Sequence, residues 1–127
     1  MRLPMLFVVC LLASPAAAQD WFLRDGDTRL SFAGLTARLL GNTLTFFDDG
    51  EARFFRDESY SYTYSGSGGV ARGHYKIFPD STVCIDFSNG FSRCDLFVIN
   101  GARLIMATTD GTRFPIRSET PGIAVGN

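Results

Sequence analysis

Two cysteines on either side of a short turn constrain the fold of this chain more than any other feature. Cys84 and Cys94 flank the turn-forming residues Ser88-Asn89-Gly90. A loop of these three residues puts the cysteines opposite each other on one face of a β-hairpin. A two-residue loop would put them on opposite faces, where no bridge forms. We therefore predict a hairpin with Gly90 in the left-handed conformation and a Cys84–Cys94 disulfide.

The first 18 residues have the pattern of a cleaved secretory signal. Arg2 gives the positive start, an apolar stretch runs from Met5 to Leu12, and small residues precede a cleavage site near Ala18. The apolar stretch is shorter than the roughly 20 residues of a membrane-spanning helix. Cys10 lies in mid-stretch, so it fits a small apolar filler better than a lipid attachment site. We predict a periplasmic or secreted protein without stable membrane insertion, in which disulfides persist.

Charge and composition exclude several classes of partner. Without Arg2 the chain has 11 basic and 13 acidic residues, a net charge of −2, and the signs alternate along the sequence. Nucleic-acid-binding proteins usually have a basic patch, which this pattern lacks. The sequence therefore predicts no nucleic-acid partner. It predicts a monomer that binds an unidentified periplasmic protein or small ligand, with no cofactor.

Turn residues recur at short intervals from Asp48 onward, with runs of aromatic and β-branched residues between them. This pattern predicts a mainly β, single antiparallel meander of about eight strands that forms a barrel or a sandwich. The predicted strands lie near 43–47, 51–56, 59–65, 70–78, 82–88, 91–98, 102–108 and 112–117. The domains are a signal peptide (1–18), an extended N-terminal segment (19–29), the β-domain (30–117) and a flexible tail (118–127).

One short helix is predicted before the first strand of the meander. Phe32, Leu35 and Leu39 share one helical face, Ser31 fits the N-cap, and Gly41 fits the left-handed position after the last turn. A helix this short is unstable alone in water. We therefore expect it to cover one side or one end of the sheet.

Two-residue turns at Asn100-Gly101 and Asp110-Gly111 predict the pairing of the last three strands. They pair Leu96 with Ile105 and Ile105 with Ile116, and likewise Cys94 with Ala107 and Ala107 with Phe114. The resulting core face consists of Cys94, Leu96, Ile105, Ala107, Phe114 and Ile116. It places the disulfide inside this core or at its margin. The disulfide register turns Val83, Ile85 and Phe87 to the other face, beside Arg93 and Asp95, with the helix and Trp21 as their expected cover.

Three alternating tyrosines are the best candidate for a binding face. Tyr60, Tyr62 and Tyr64 share one face of one strand, where they form either a platform for a sugar, an aromatic ligand or a peptide, or part of the barrel packing. His74 alternates with Arg72 and Lys76, which is typical of a solvent face.

Acidic and serine residues show no catalytic or metal-binding pattern. Asp48, Asp49 and Glu51 surround a turn glycine without the ligand spacing of a calcium loop. Asp86 shares the face of the disulfide, and we expect a structural ion pair with Arg93 or Arg103. No residue pattern predicts a metal site or a nucleophile with its base, so the chain is predicted not to be an enzyme.

Several short motifs resemble those of small exported bacterial β-barrel proteins of unknown function. They are Leu40-Gly41-Asn42-Thr43, Phe54-Phe55, Gly73-His74-Tyr75-Lys76-Ile77, Val83-Cys84-Ile85, Arg93-Cys94 and the Asn100-Gly101 turn. The chain departs from the usual Asp-Gly turn at Asp57-Glu58-Ser59. The resemblance implies that Gly73 and Tyr75 point inward and that the cysteines bridge adjacent strands, and it implies no reaction.

These observations predict a non-enzymatic binding or accessory protein of the periplasm. The alternative is a secreted inhibitor of a hydrolase of the protease or lysozyme type. Such an inhibitor needs an exposed loop that enters a cleft, and Ser65–Gly69 is the loop that fits this role.

Overall fold

The computed structural model describes residues 19–122 of the chain. A short strand and a helix come first, and a series of β-hairpins follows them. The elements are β1 (Asp27–Arg29), α1 (Phe32–Leu39), β2 (Asn42–Phe46), β3 (Glu51–Phe54), β4 (Ser59–Thr63), β5 (Val70–Ile77), β6 (Thr82–Phe87), β7 (Ser92–Asn100), β8 (Arg103–Ala107) and β9 (Arg113–Pro121). The predicted signal peptide and the end of the predicted tail lie outside the described residues.

The eight strands β2 to β9 form a closed antiparallel barrel. Each strand pairs with the next one along the chain, and pairing of β9 with β2 closes the barrel. The predicted meander is confirmed, as a barrel and not as a sandwich. Because successive strands alternate in direction, loops 47–50, 64–69, 88–91 and 108–112 lie at one end, which we call the open end.

Helix α1 lies at the opposite end of the barrel, directly before β2. Ser31 is the N-cap, as predicted, and its Oγ accepts a hydrogen bond of 3.0 Å from the Gly34 N–H. Leu35 and Leu39 are fully buried in the barrel core, and Gly41 has a φ of +77° after the last turn. Phe32, by contrast, is 50% exposed. Its predicted place on the buried face is wrong, because the core contacts of the helix begin at Leu35.

Two apolar clusters lie on the two sides of the barrel wall. The inner cluster fills the barrel and includes Leu44, Phe54, Tyr75, Val83, Ile85, Phe97 and Leu104. The outer cluster consists of Trp21, Leu96, Val98, Ile105 and Ala107. The middle of β7, from Asp95 to Val98, is therefore buried on both faces. The predicted cover of Val83 and Ile85 by the helix is correct, because Leu35 and Leu39 share their cluster. The predicted cover by Trp21 is wrong, because Trp21 packs on the outer face.

The predicted pairing of the last three strands is wrong by one or two residues. Leu96 pairs with Ala107, since the β7–β8 turn lies one residue later, at Gly101-Ala102. The β8–β9 loop is one residue longer than predicted, which pairs Met106 with Phe114. That single-residue shift moves Phe114 and Ile116 to the inner face, away from Ile105 and Ala107.

The disulfide joins Cys84 and Cys94 across directly paired positions of β6 and β7, as predicted. The loop is Ser88–Gly90, with Gly90 at a φ of +90°. Cys94 is exposed and Cys84 is half-buried, so the bridge does not lie inside the core, which was one of its two expected places. The bridge instead ties two strands together on the outer wall.

Replacing both cysteines by serine is expected to lower the free energy of unfolding by about 3 kcal/mol without changing the fold, because the bridge restricts the unfolded chain. Urea unfolding of the double variant, with circular dichroism to check the fold, measures this. Since the inner core and the hairpin loops define the register, a variant with altered strand content would contradict this account.

The last strand extends further than the sequence predicts. Residues 118–121 pair with β2 in an unbroken run from Thr45–Ser118 to Asn42–Pro121, so the predicted start of the tail at Ser118 is wrong. Arg38 of the helix holds the Glu119 carboxylate with two hydrogen bonds of 2.7 and 2.9 Å. The helix and the end of β9 thus support each other.

The N-terminal segment crosses the outer wall and is anchored there. β1 pairs with the end of β7, at Thr28–Ile99 and its neighbours. The Asp27 carboxylate accepts two hydrogen bonds of 2.8 Å from the Arg113 guanidinium, and the Asp27 side chain is completely buried. This paired guanidinium holds the pKa of Asp27 well below its usual range.

Candidate functional site

A cavity of about 150 Å³ opens at the open end of the barrel. Its walls are mostly aromatic, and they consist of Phe46, Tyr60, Tyr62, Tyr64, Phe87, Met106, Phe114 and the charged Arg93. The lining residues lie on six of the strands or directly after one of them. The barrel itself therefore fixes the rings in place.

The three predicted tyrosines all line this cavity, at increasing distance from the core. Tyr60 is only 7% exposed and belongs to the inner cluster, Tyr62 is half-buried, and Tyr64 is 51% exposed. The two alternatives for this face are therefore both present on one strand. Tyr60 is packing, and Tyr62 and Tyr64 are available to a ligand.

The aromatic rings contact one another in an unbroken series from the core to the entrance. The Tyr62 ring centroid lies 4.9 Å from that of Tyr64 and 6.0 Å from that of Phe46. The Phe46 ring meets Phe114 edge-on, at 6.3 Å. Edge-to-face contacts of this kind hold rings in fixed orientations.

Two glycines near the cavity occupy positions where a larger side chain would clash. A Cβ on Gly50 would overlap the phenol of Tyr62. Gly73 lies between Tyr60 and Phe87 on the neighbouring strands, and its own Cβ would overlap the backbone of Asp86. Gly73 and Tyr75 both face inward, as the resemblance to exported barrels implies.

An ion pair between the half-exposed Arg93 and the buried Asp95 is the part of the site that the sequence did not predict. Asp95 is 3% exposed, and its Oδ2 accepts hydrogen bonds from Arg93 at 2.9 Å from Nε and 2.8 Å from Nη2. Burial raises the pKa of Asp95, and the Arg93 charge opposes that shift. The alternation of side chains along the strand did place Arg93 and Asp95 on the same face as the buried Val83 and Ile85. That alternation was the sequence signal from which this pair could have been found.

Burial also raises the pKa of two of the cavity phenols, Tyr60 and Tyr62. The pKa of Tyr60 and that of Tyr62 both lie above the usual value for tyrosine, chiefly through desolvation. Tyr60 and Tyr62 are therefore neutral at physiological pH. Together with the paired Arg93 and Asp95, they form a cavity without net charge.

The other candidate residues lie away from the cavity. His74 is exposed on the outer wall between Ser59 and Asp86, which confirms its predicted solvent face. Asp86 is also exposed, and its predicted ion pair with Arg93 or Arg103 is wrong. Arg93 binds Asp95 instead, and Arg103 donates to the Ile116 carbonyl. Asp48 has a turn role, because its Oδ1 accepts a 2.8 Å hydrogen bond from the Gly50 N–H.

Within residues 19–122, no three acidic, histidine or cysteine side chains lie together as ligands for a metal ion. No helix in the same range is long and apolar enough to cross a membrane. Comparison of the chain with known protein families, curated proteins and solved structures gives no match.

Proposed function

We propose that this protein is a non-enzymatic binding protein of the periplasm and that its ligand site is the cavity at the open end. The observation that supports this proposal is the unfilled space at the open end, whose aromatic walls are partly exposed. Most proteins fill a barrel of this size with side chains, whereas this barrel has a recess above Tyr60. A concave, mainly apolar recess with a few polar groups is the usual form of a ligand site.

The size of the cavity limits what it holds. A volume of about 150 Å³ accommodates a single six-membered ring, because an engineered cavity of similar volume is known to bind benzene. The aromatic walls favour stacking or edge contacts with such a ring. Because the Arg93 and Asp95 charges offset each other, the cavity favours a neutral ring over an ion. The proposed ligand group is therefore a neutral ring, and tyrosine-like phenols are the simplest probes.

The test compares two variants that each remove one half-exposed ring. Tyr64→Ser removes a ring from the cavity, and Phe47→Ser removes a ring that is 57% exposed but does not line the cavity. We expect p-cresol to bind the wild type and the Phe47 variant equally, and the Tyr64 variant at least about fivefold more weakly. NMR titration measures these affinities. Equal binding by both variants, or none by the wild type, would refute the cavity as the ligand site.

The predicted hydrolase-inhibitor role depends on a different feature. The Ser65–Gly69 loop is exposed and projects at the open end, where the Tyr64 N–H donates to the Gly69 carbonyl. This loop is available for contacts with a protein, and the inhibitor role stays a prediction.

A further inference from the structure

Strand β7 is longer than the strand that pairs with it on one side. β6 pairs with β7 from Ser92 to Leu96, whereas β8 pairs only with Leu96 to Asn100. The segment from Ser92 to Asp95, which we call the free edge, therefore has a neighbouring strand on its β6 side alone. On its other side, the tip of the β8–β9 hairpin leaves a groove of about 560 Å³.

The hydrogen-bond pattern shows which backbone groups of the free edge point into the groove. The Phe97 N–H donates to the Ser81 carbonyl, and the Phe91 carbonyl accepts from the Phe87 N–H. Odd-numbered residues of β7 thus bond toward β6. In an antiparallel strand the alternate residues bond to the opposite side. The N–H and C=O groups of Ser92 and Cys94 therefore point into the groove, and both residues are exposed.

The groove adjoins the ring-sized cavity. Arg93 and Phe114 line both of them. Arg93 lies on the inner face of the free edge, between the two residues whose backbone points into the groove. A side chain opposite Arg93 on an added strand would also face inward, because directly paired residues share one face of a sheet. That side chain would meet Phe114 at the entrance to the cavity.

We propose that the ligand is an extended peptide segment of a partner protein, which pairs as an extra strand with Ser92–Asp95 and places one aromatic side chain in the cavity. This inference rests on the proposed function, since it identifies the molecule that carries the ring. Main-chain hydrogen bonds to an exposed sheet edge and a pocket for an alternate side chain are the two parts of β-strand addition. Both parts are adjacent here, because the free edge supplies the main-chain groups and its Arg93 also lines the cavity.

The first experiment removes main-chain hydrogen bonds from the ligand. The probe is an acetylated and amidated pentapeptide, Thr-Val-Tyr-Val-Thr, whose tyrosine would lie opposite Arg93. Its two valines would then lie opposite Ser92 and Cys94, with their N–H groups directed at the free edge. We expect N-methylation of both valines to weaken binding at least about tenfold, and replacement of the tyrosine by alanine to do the same. Titration calorimetry measures both losses.

The second experiment changes the protein. Ser92→Pro removes an N–H that points into the groove and none that bonds to β6, whereas Ser92→Ala keeps the N–H and is the matched control. We expect peptide affinity to fall at least about fivefold in the proline variant only. In the wild type, the peptide should slow hydrogen exchange of the Cys94 amide at least about tenfold. The exchange result does not depend on whether the proline variant folds.

The outcomes separate this inference from the proposed function. If the N-methylated peptide binds as well as its parent while p-cresol binds the cavity, strand addition is wrong and the proposed function stands. If neither p-cresol nor the tyrosine side chain contributes to binding, the proposed function is wrong as well. If sedimentation instead shows a dimer that Ser92→Pro dissociates, the free edge pairs two copies of this chain and the peptide proposal is overturned.

Discussion

Asp27→Ala is expected to lower the free energy of unfolding by about 4 kcal/mol, because it leaves the Arg113 guanidinium buried without its partner. Arg113 is 9% exposed in its side chain, and Asp27 holds it with two hydrogen bonds. The same carboxylate accepts hydrogen bonds from the Arg24 N–H and from Asn100. The substitution thus removes the side-chain contacts of Asp27 that help to fix β1 on the barrel. Urea unfolding at neutral pH measures the loss.

The matched control is Glu119→Ala, which breaks an ion pair with Arg38 that is about one-third exposed on both sides. Exposed pairs contribute little, so we expect a loss of less than about 1 kcal/mol. A loss for Asp27→Ala as small as that of the control would show that β1 does not depend on the buried pair.

The contribution of Asp27 should also depend on pH in a defined direction. Its pKa is depressed in the folded state, so the unfolded state binds more protons below about pH 4, the usual pKa of aspartate. The stabilisation is therefore complete at neutral pH and is lost as the pH falls below about 4. The difference between the wild type and Asp27→Ala should shrink over that range. A difference that grows on acidification would contradict the assigned pKa direction.

The hairpins and the disulfide could be predicted from the sequence because they depend on local residues. The Ser88–Gly90 loop sets the register of Cys84 with Cys94, and nothing distant alters it. The β8–β9 register was predicted wrongly for a related reason. Asp110-Gly111 suggested a two-residue turn, but the Asp110 carboxylate also accepts from the Thr112 N–H and the Thr108 hydroxyl. These contacts favour a longer loop with Thr108 and Thr112 paired.

Features that join distant parts of the chain were not predictable. Closure of the barrel by β9 and β2 brings together strands that are far apart in sequence, and it requires the residues that were predicted to be a tail. The ion pair between Asp27 and Arg113 likewise spans 86 positions. Local patterns contain no information about such contacts. The sequence therefore predicted the hairpins, but not how the first and last segments are held to the barrel.

The candidate site was predicted in part. Period-two alternation placed Tyr60, Tyr62 and Tyr64 on one face, and that face does line the cavity. The opposite wall was missed, because Phe114 had been paired one residue out of register and assigned to a different core. The exposed backbone of Ser92 and Cys94 was missed too, since the length difference between β7 and β8 appears only in the closed barrel.

Tyr60→Ala is expected to lower the free energy of unfolding by about 4 kcal/mol, as large-to-small changes of buried aromatic residues do. The Tyr60 ring lies 5.2 Å from the Phe54 ring and 6.0 Å from the Phe87 ring, and Tyr60 pairs directly with Gly73. Its removal would leave a cavity in the centre of the barrel.

Tyr64→Ala is the matched control, because it removes the same side chain from the same face four residues later. Since Tyr64 is 51% exposed, we expect it to cost less than about 1 kcal/mol, and urea unfolding compares the two variants. Large losses in both variants would make the whole tyrosine face interior packing and leave no ring for a ligand. A small loss in both would mean that Tyr60 does not form the floor of the cavity. Only the expected difference fits a strand that is core at one end and a binding surface at the other.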